Sequence, residues 1–109
     1  MFKVIKNNLD ISRLFNSGRY ISTKTFSVIW QDSDNTQVAF IAGKKLGKAN
    51  KRNYCKRRLR EIYRHNSNIF ENKEVLLIAR ADLINAKNDQ ILKGINKVEH
   101  IFKNKKNSN

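Results

Sequence analysis

Residues 44–64 read KKLGKANKRNYCKRRLREIYR and hold ten Lys or Arg residues against a single acid, Glu61. Like charges gathered on one short stretch repel, so a partner outside the chain must supply the negative charge. The residue types say what kind of partner. Lys44, Lys45 and Lys48 precede a helical pattern, and Gly43 and Gly47 let the backbone approach a phosphate closely. The start of that helix adds unsatisfied N–H groups and the positive end of its dipole. Lys51, Arg52, Lys56, Arg57, Arg60 and Arg64 then continue the charge along the helix as a track for a phosphate backbone. Arginine grips a phosphate with two parallel hydrogen bonds, which lysine cannot do. The competing explanation is an ordinary solvated face, but such a face alternates Glu with Lys, and this one does not.

Residues that could carry out bond-breaking chemistry are sparse. His65 closes the basic helix and His100 falls near the C-terminus, neither with a carboxylate or Cys at a ligand or triad spacing. Asp32 and Asp34 sit in a polar turn, where Asx chemistry accounts for them. The lone Cys55 excludes an internal disulfide and a multi-Cys metal site, and it lies on an apolar helix face. Nothing in the chain forms a self-contained nuclease. Phe15, Tyr20, Phe26 and Trp30 are candidates for stacking on unpaired bases, with core packing as the alternative for each. No zinc or heptad signature accompanies the basic helix, and no helix-turn-helix partner is evident.

The elements that must position these residues follow from periodicity. NNLDISRLFNSGR predicts a short helix, capped by Asn7 or Asn8, with Leu9, Ile11, Leu14 and Phe15 apolar and Gly18 as a left-handed stop. RYISTKTFSVIW is rich in β-branched and aromatic residues. Within it Phe26, Val28 and Trp30 alternate with Ser27, Ile29 and Gln31. QDSDNT predicts a hairpin turn into QVAFIAGKK, where Val38, Phe40 and Ala42 share a face. From about Ala49 to Asn66 the spacing is helical, with Cys55, Leu59, Ile62 and Tyr63 on one stripe. EVLLIARA predicts a strand buried in a sheet. Asn85 is placed as the cap of a last helix bearing Ile91, Ile95, Val98 and Phe102.

The coarse order is therefore helix, strands, helix, strand, helix, a sheet with helices packed on it in one domain over residues 1–109, with a basic tail from about residue 104 expected to fray. The formal charge of +14, from 23 Lys plus Arg against 9 Asp plus Glu, points to a polyanionic partner. The start MFKVIKNNLDISRLF lacks an apolar run of signal-peptide length, and no segment approaches a membrane span, so a cytoplasmic location without a membrane partner is expected.

The run Lys44-Lys45-Leu46-Gly47-Lys48-Ala49, then Arg52-Asn53, Lys56-Arg57 and Arg60-Glu61, resembles the signature of the bacterial ribonuclease P protein subunit. The likeness extends along the chain, from the first helix to the IAR-ending strand and the C-terminal helix. Tyr54 stands where the family usually completes an Arg-Asn-Arg triplet, Asn50 where it usually has an apolar residue, and Ile11 where it usually presents an aromatic.

The resemblance implies an α/β (α+β) two-layer sandwich of order α-β-β-β-α-β-α, with a four-stranded sheet and a left-handed crossover through the signature helix, similar to a ribosomal-protein domain. It also implies a catalytic RNA that uses Mg²⁺ to cleave the 5′ leader from precursor tRNA, while the protein itself binds no cofactor. Carried over by position, Lys44, Lys45, Arg52, Asn53, Lys56, Arg57 and Arg60 contact the catalytic RNA or adjacent leader. Ile11 and Phe15, with Phe26, Val28 or Ile29, line a leader cleft, and Arg80 adds a phosphate contact. The partners implied are the catalytic RNA and precursor tRNA, with no DNA. A ribosomal or RNA-assembly protein with the same basic helix is the alternative reading, and an unrelated DNA-binding protein a third.

Overall fold

KEVLLIA is apolar on both sides, so a strand built from it is stable only with a neighbour on each edge and cover on each face. The computed structural model, which describes residues 3–5 and 7–107 with side chains as far as Asn104, gives it that place. Strand β5 (Lys73–Ala79) lies at the centre of a five-stranded sheet of order β1-β4-β5-β3-β2, formed with β1 (Lys3–Val4), β2 (Arg19–Ser22), β3 (Phe26–Asp32) and β4 (Gln37–Ile41). β3 runs antiparallel to β5 and β4 parallel to it. The helices are α1 (Asn8–Ser17), α2 (Ala49–His65) and α3 (Asn88–Asn107), and α2 is the crossover between the parallel neighbours β4 and β5.

Two apolar clusters hold the layers together. The larger joins Phe26, Val28, Trp30, Val38, Val75 and Leu77 of the sheet to Cys55, Leu59, Ile62 and Tyr63 of α2 and Ile95, Val98 and Phe102 of α3. The smaller, on the opposite face, packs Leu14 of α1 with Ile5, Ile29, Ala39 and Leu76. The alternation expected in residues 26–31 thus sorts the side chains as drawn. The sheet is clad fully on one face and by α1 alone on the other.

Several local expectations give way. The sheet has five strands rather than four, because Lys3–Val4 adds a parallel edge beside β4. The segment QDSDNT does not close a hairpin, since β5 lies between β3 and β4. It is tied instead to the entry of β5, with Ser33 N–H donating to Asn72 O at 2.9 Å and Asn72 N–H to Thr36 Oγ1 at 3.0 Å. The hairpin actually present joins β2 to β3 and turns at Thr23, whose Oγ1 donates to Phe26 O at 2.7 Å and accepts from Phe26 N–H at 3.1 Å.

Gly18 is extended (φ −73°, ψ 164°), not left-handed. A side chain there is excluded by proximity, because a Cβ would stand 2.6 Å from Ile29 Cγ2 and from Leu14 O. The last helix starts three residues after the expected cap Asn85. A 3-10 turn over Ala81–Leu83 buries Leu83 first, and Gln90 Oε1 then accepts from the Lys87 N–H at 3.1 Å. That helix continues to Asn107, and residues 108–109 of the expected tail lie outside the described residues.

Candidate nucleic-acid interface

Helix α2 turns Cys55, Leu59, Ile62 and Tyr63 inward, and this stripe fixes where its cations go. Lys51, Asn53, Lys56, Arg57, Arg60 and Arg64 are exposed, while Arg52 is half-buried. Lys44 and Lys45 are exposed on a 3-10 turn anchored by buried Leu46, and Lys48 follows as the N-cap of α2. The turn into the helix needs Gly47, at φ +112°, where an L side chain would be strained. The expected basic residues are thus brought together on one ridge. The ion pairs among the described residues (Arg13 with Asp10 and Glu74, Lys73 with Asp32, Lys103 with Glu99) all lie outside it.

The start of α2 sharpens the electrostatics. Its N-cap makes no side-chain hydrogen bond, and its first turn carries no acid. Lysines crowd the positive end of the helix dipole, an arrangement that costs stability within the isolated chain. An external anion reverses the sign of that cost.

Arg58 behaves differently from its neighbours. Its Nη1 donates to Leu83 O and to Ala86 O, each at 3.0 Å, which ties α2 to the segment leading into α3. Tyr54, in the place of the family arginine, packs its ring 5.9 Å beneath the Arg58 guanidinium. Arg60 lies over the Phe40 ring at 5.4 Å, so its stem is steadied while its charge stays exposed.

The second expected site is only partly assembled. Ile11 is half-buried and Phe15, one turn on, is 50% exposed. Phe26 and Val28 are fully buried in the larger cluster on the other face, so they cannot line a cleft with α1. Ile29 does face α1, but it is buried beneath Leu14 in the smaller cluster. The accessible residues on this face are others. Tyr20 is 62% exposed, with its phenol 3.0 Å from Ser27 Oγ, and Ile41 and Ile78 are half-buried beside the smaller cluster. Hydrogen bonds with Ser27 and then Ser22 lower the Tyr20 pKa, and the charge of Arg80 adds to them. Arg80 is exposed and donates to Ser22 Oγ. Strand parity signals Ile41 and Ile78, since each lies two residues from a position already read as functional, Gly43 and Arg80.

Cys55 is buried, and burial raises its pKa against the weaker opposing effect of Arg58, so it is core rather than nucleophile. Among the described residues no group of three or more His, Cys, Asp or Glu side chains could hold a metal ion, and no helix is long and apolar enough to cross a membrane.

A cationic helical ridge beside a half-covered sheet defines a small α+β protein built to engage a polyanion. The chain matches the Ribonuclease P family over residues 2–105 and belongs to it, as an accessory protein of an endoribonuclease that takes part in tRNA processing. The Ribonuclease P protein component of Staphylococcus aureus strain Mu3 is 33% identical over 103 residues, covering 91% of this chain and 86% of that protein. The component from Natranaerobius thermophilus is 35% identical over 79 residues, 70% of this chain and 69% of that protein. Among solved structures, the S. aureus RNase P protein superposes with a TM-score of 0.76 at 27% identity, over 93% of this chain and 95% of that one. The Thermotoga maritima RNase P protein shares the fold, with a TM-score of 0.75 at 23% identity over 90% of this chain and 96% of that one.

Proposed function

We propose that this protein docks the catalytic RNA of ribonuclease P through the ridge running from Lys44 to Arg64 and holds the 5′ leader of precursor tRNA against the open face beside α1. Cleavage belongs to the RNA, with the Mg²⁺ bound there supplying the chemistry. The protein contributes charge and position. An RNA enzyme and an RNA substrate repel each other, and a cationic wedge touching both lowers that penalty without a general base. Contacts to a leader backbone carry little sequence information, which suits a substrate set with varied leaders. The setting is cytoplasmic.

The observation that carries this reading is the ridge itself: its exposed cations have no acidic partners within the described chain, and they surround a helix start without an acid. On the leader side the support is Phe15, an exposed aromatic on α1, together with Tyr20, Ile41, Ile78 and Arg80 on the sheet.

Reconstitution tests it. With its RNA, the protein is expected to support cleavage of precursor tRNA at low Mg²⁺, where neither component alone does so. Phe15→Ala is expected to weaken binding of leader-bearing precursor more than binding of mature tRNA. Turnover and substrate affinity of the RNA unchanged by the protein would refute the proposal.

A further inference from the structure

A cavity of about 470 Å³ opens where the β2–β3 turn meets the middle of α3, away from the ridge on α2. Lys24, Arg80, Lys93 and Lys97 line it, and no carboxylate does. None of these four enters the ion pairs found among the described residues. Lys93 and Lys97 are one helical turn apart, a spacing at which like charges destabilise a helix.

Two of the cations are fixed by one residue. Arg80 donates through Nη1 to Ser22 Oγ, and Lys97 donates through Nζ to the Ser22 carbonyl. Arginine has five N–H donors and lysine three, so each retains donors for a ligand. Gly94 allows the approach: a Cβ there would meet Thr23 Oγ1 at 3.0 Å and the Phe26 ring at 3.1 Å. Glycine weakens a helix interior, yet here it lets the hairpin lie directly on α3 and gathers the charges into one basin.

The basin is continuous with the face covered by α1. Ser22 pairs with Ser27 across β2 and β3, and Ser27 pairs with Ile78 of β5, two residues before Arg80. A strand lying along Ile78 therefore reaches Arg80 first and the lysines next.

We propose that this basin is a second phosphate-binding site, which takes the sugar-phosphate backbone of the leader upstream of the part held beside α1. The inference rests on the leader-binding reading above and adds Lys24, Lys93 and Lys97 to it. All its contacts are to phosphate, so it lengthens the grip on a leader without selecting sequence.

The test uses the assembled holoenzyme and a nested series of precursor tRNAs, with the leader shortened one nucleotide at a time down to mature tRNA. K93Q/K97Q is expected to bind the longest leaders about tenfold more weakly than wild type, with a log–log salt slope shallower by roughly 1.5 to 2. Its affinity is expected to converge on wild type below a definite leader length. K24Q, on the turn rather than the helix, is expected to reproduce the length dependence with a smaller loss, and matching circular dichroism melts check that both variants fold. Wild-type affinity at every length overturns the proposal. So does an equal loss at every length, mature tRNA included, which would place the contact on the catalytic RNA or the tRNA body. A wild-type holoenzyme indifferent to the leader would overturn the parent reading as well, and this outcome is seen before any variant is measured.

Discussion

The arginines of α2 divide into two kinds by what their guanidinium groups touch. Arg57 and Arg60 are exposed and directed away from the core, so their charges are available to a partner. Arg58 is committed to the carbonyls of Leu83 and Ala86, and its removal strands two acceptors at the junction of α2 and α3. Arg58→Ala is expected to lower stability by about 1–3 kcal/mol, since hydrogen bonds to a charged group exceed neutral ones. Arg57→Ala and Arg60→Ala are expected to leave the melt nearly unchanged and to weaken binding to the catalytic RNA. Thermal melts alongside RNA titrations separate the two classes, and an unchanged melt for Arg58→Ala would contradict the clamp. Tyr54 belongs with Arg58: at the position where the resemblance leads us to expect an arginine, this chain has a ring beneath a structural arginine.

Elements set which of these groups can act together. The crossover between β4 and β5 places α2 on the thickly packed face, so its cations project outward, while α1 covers the other face alone and leaves Tyr20, Ile41 and Ile78 accessible. The exit from α1 is sterically tight. Gly18→Ala is expected to destabilise the fold by about 1–3 kcal/mol through overpacking, read as a lower melting temperature, and a melt equal to wild type would refute that packing account. Periodicity made much of this legible beforehand. The inward stripe of α2, the two faces of β3 and the buried run of β5 all follow from side-chain spacing. Pairing partners did not, because neighbouring in sequence says little about which strand fills the centre of a sheet, and β5 separates β3 from β4. The β2–β3 turn was hidden for a local reason: Thr23 closes it with its own hydroxyl, and threonine otherwise reads as strand. The cleft assignment failed at Phe26 and Val28 by parity alone, for they are one residue out of step with Ile29 and point to the other core.

At the scale of the whole molecule, a charge of +14 on 109 residues opposes compaction, and ten of the 23 Lys and Arg residues fall between positions 44 and 64. Anions that bind the native ridge relieve that repulsion and stabilise the folded state by mass action. The isolated protein is therefore expected to gain helical circular dichroism as sulfate is titrated into low-salt buffer, at concentrations well below those that act through general exclusion. A spectrum insensitive to sulfate would show that charge and folding are uncoupled. The same charge governs association with RNA. On the proposed reading, six to eight phosphate contacts along the ridge would give a log–log dependence of affinity on salt of roughly −4 to −7. The most direct test is that slope, measured by equilibrium binding of the catalytic RNA across a range of salt concentrations. A steep slope that becomes shallower with each ridge cation removed is the predicted result, whereas a slope near zero, or one unaffected by Arg57→Ala and Arg60→Ala, would contradict the phosphate track.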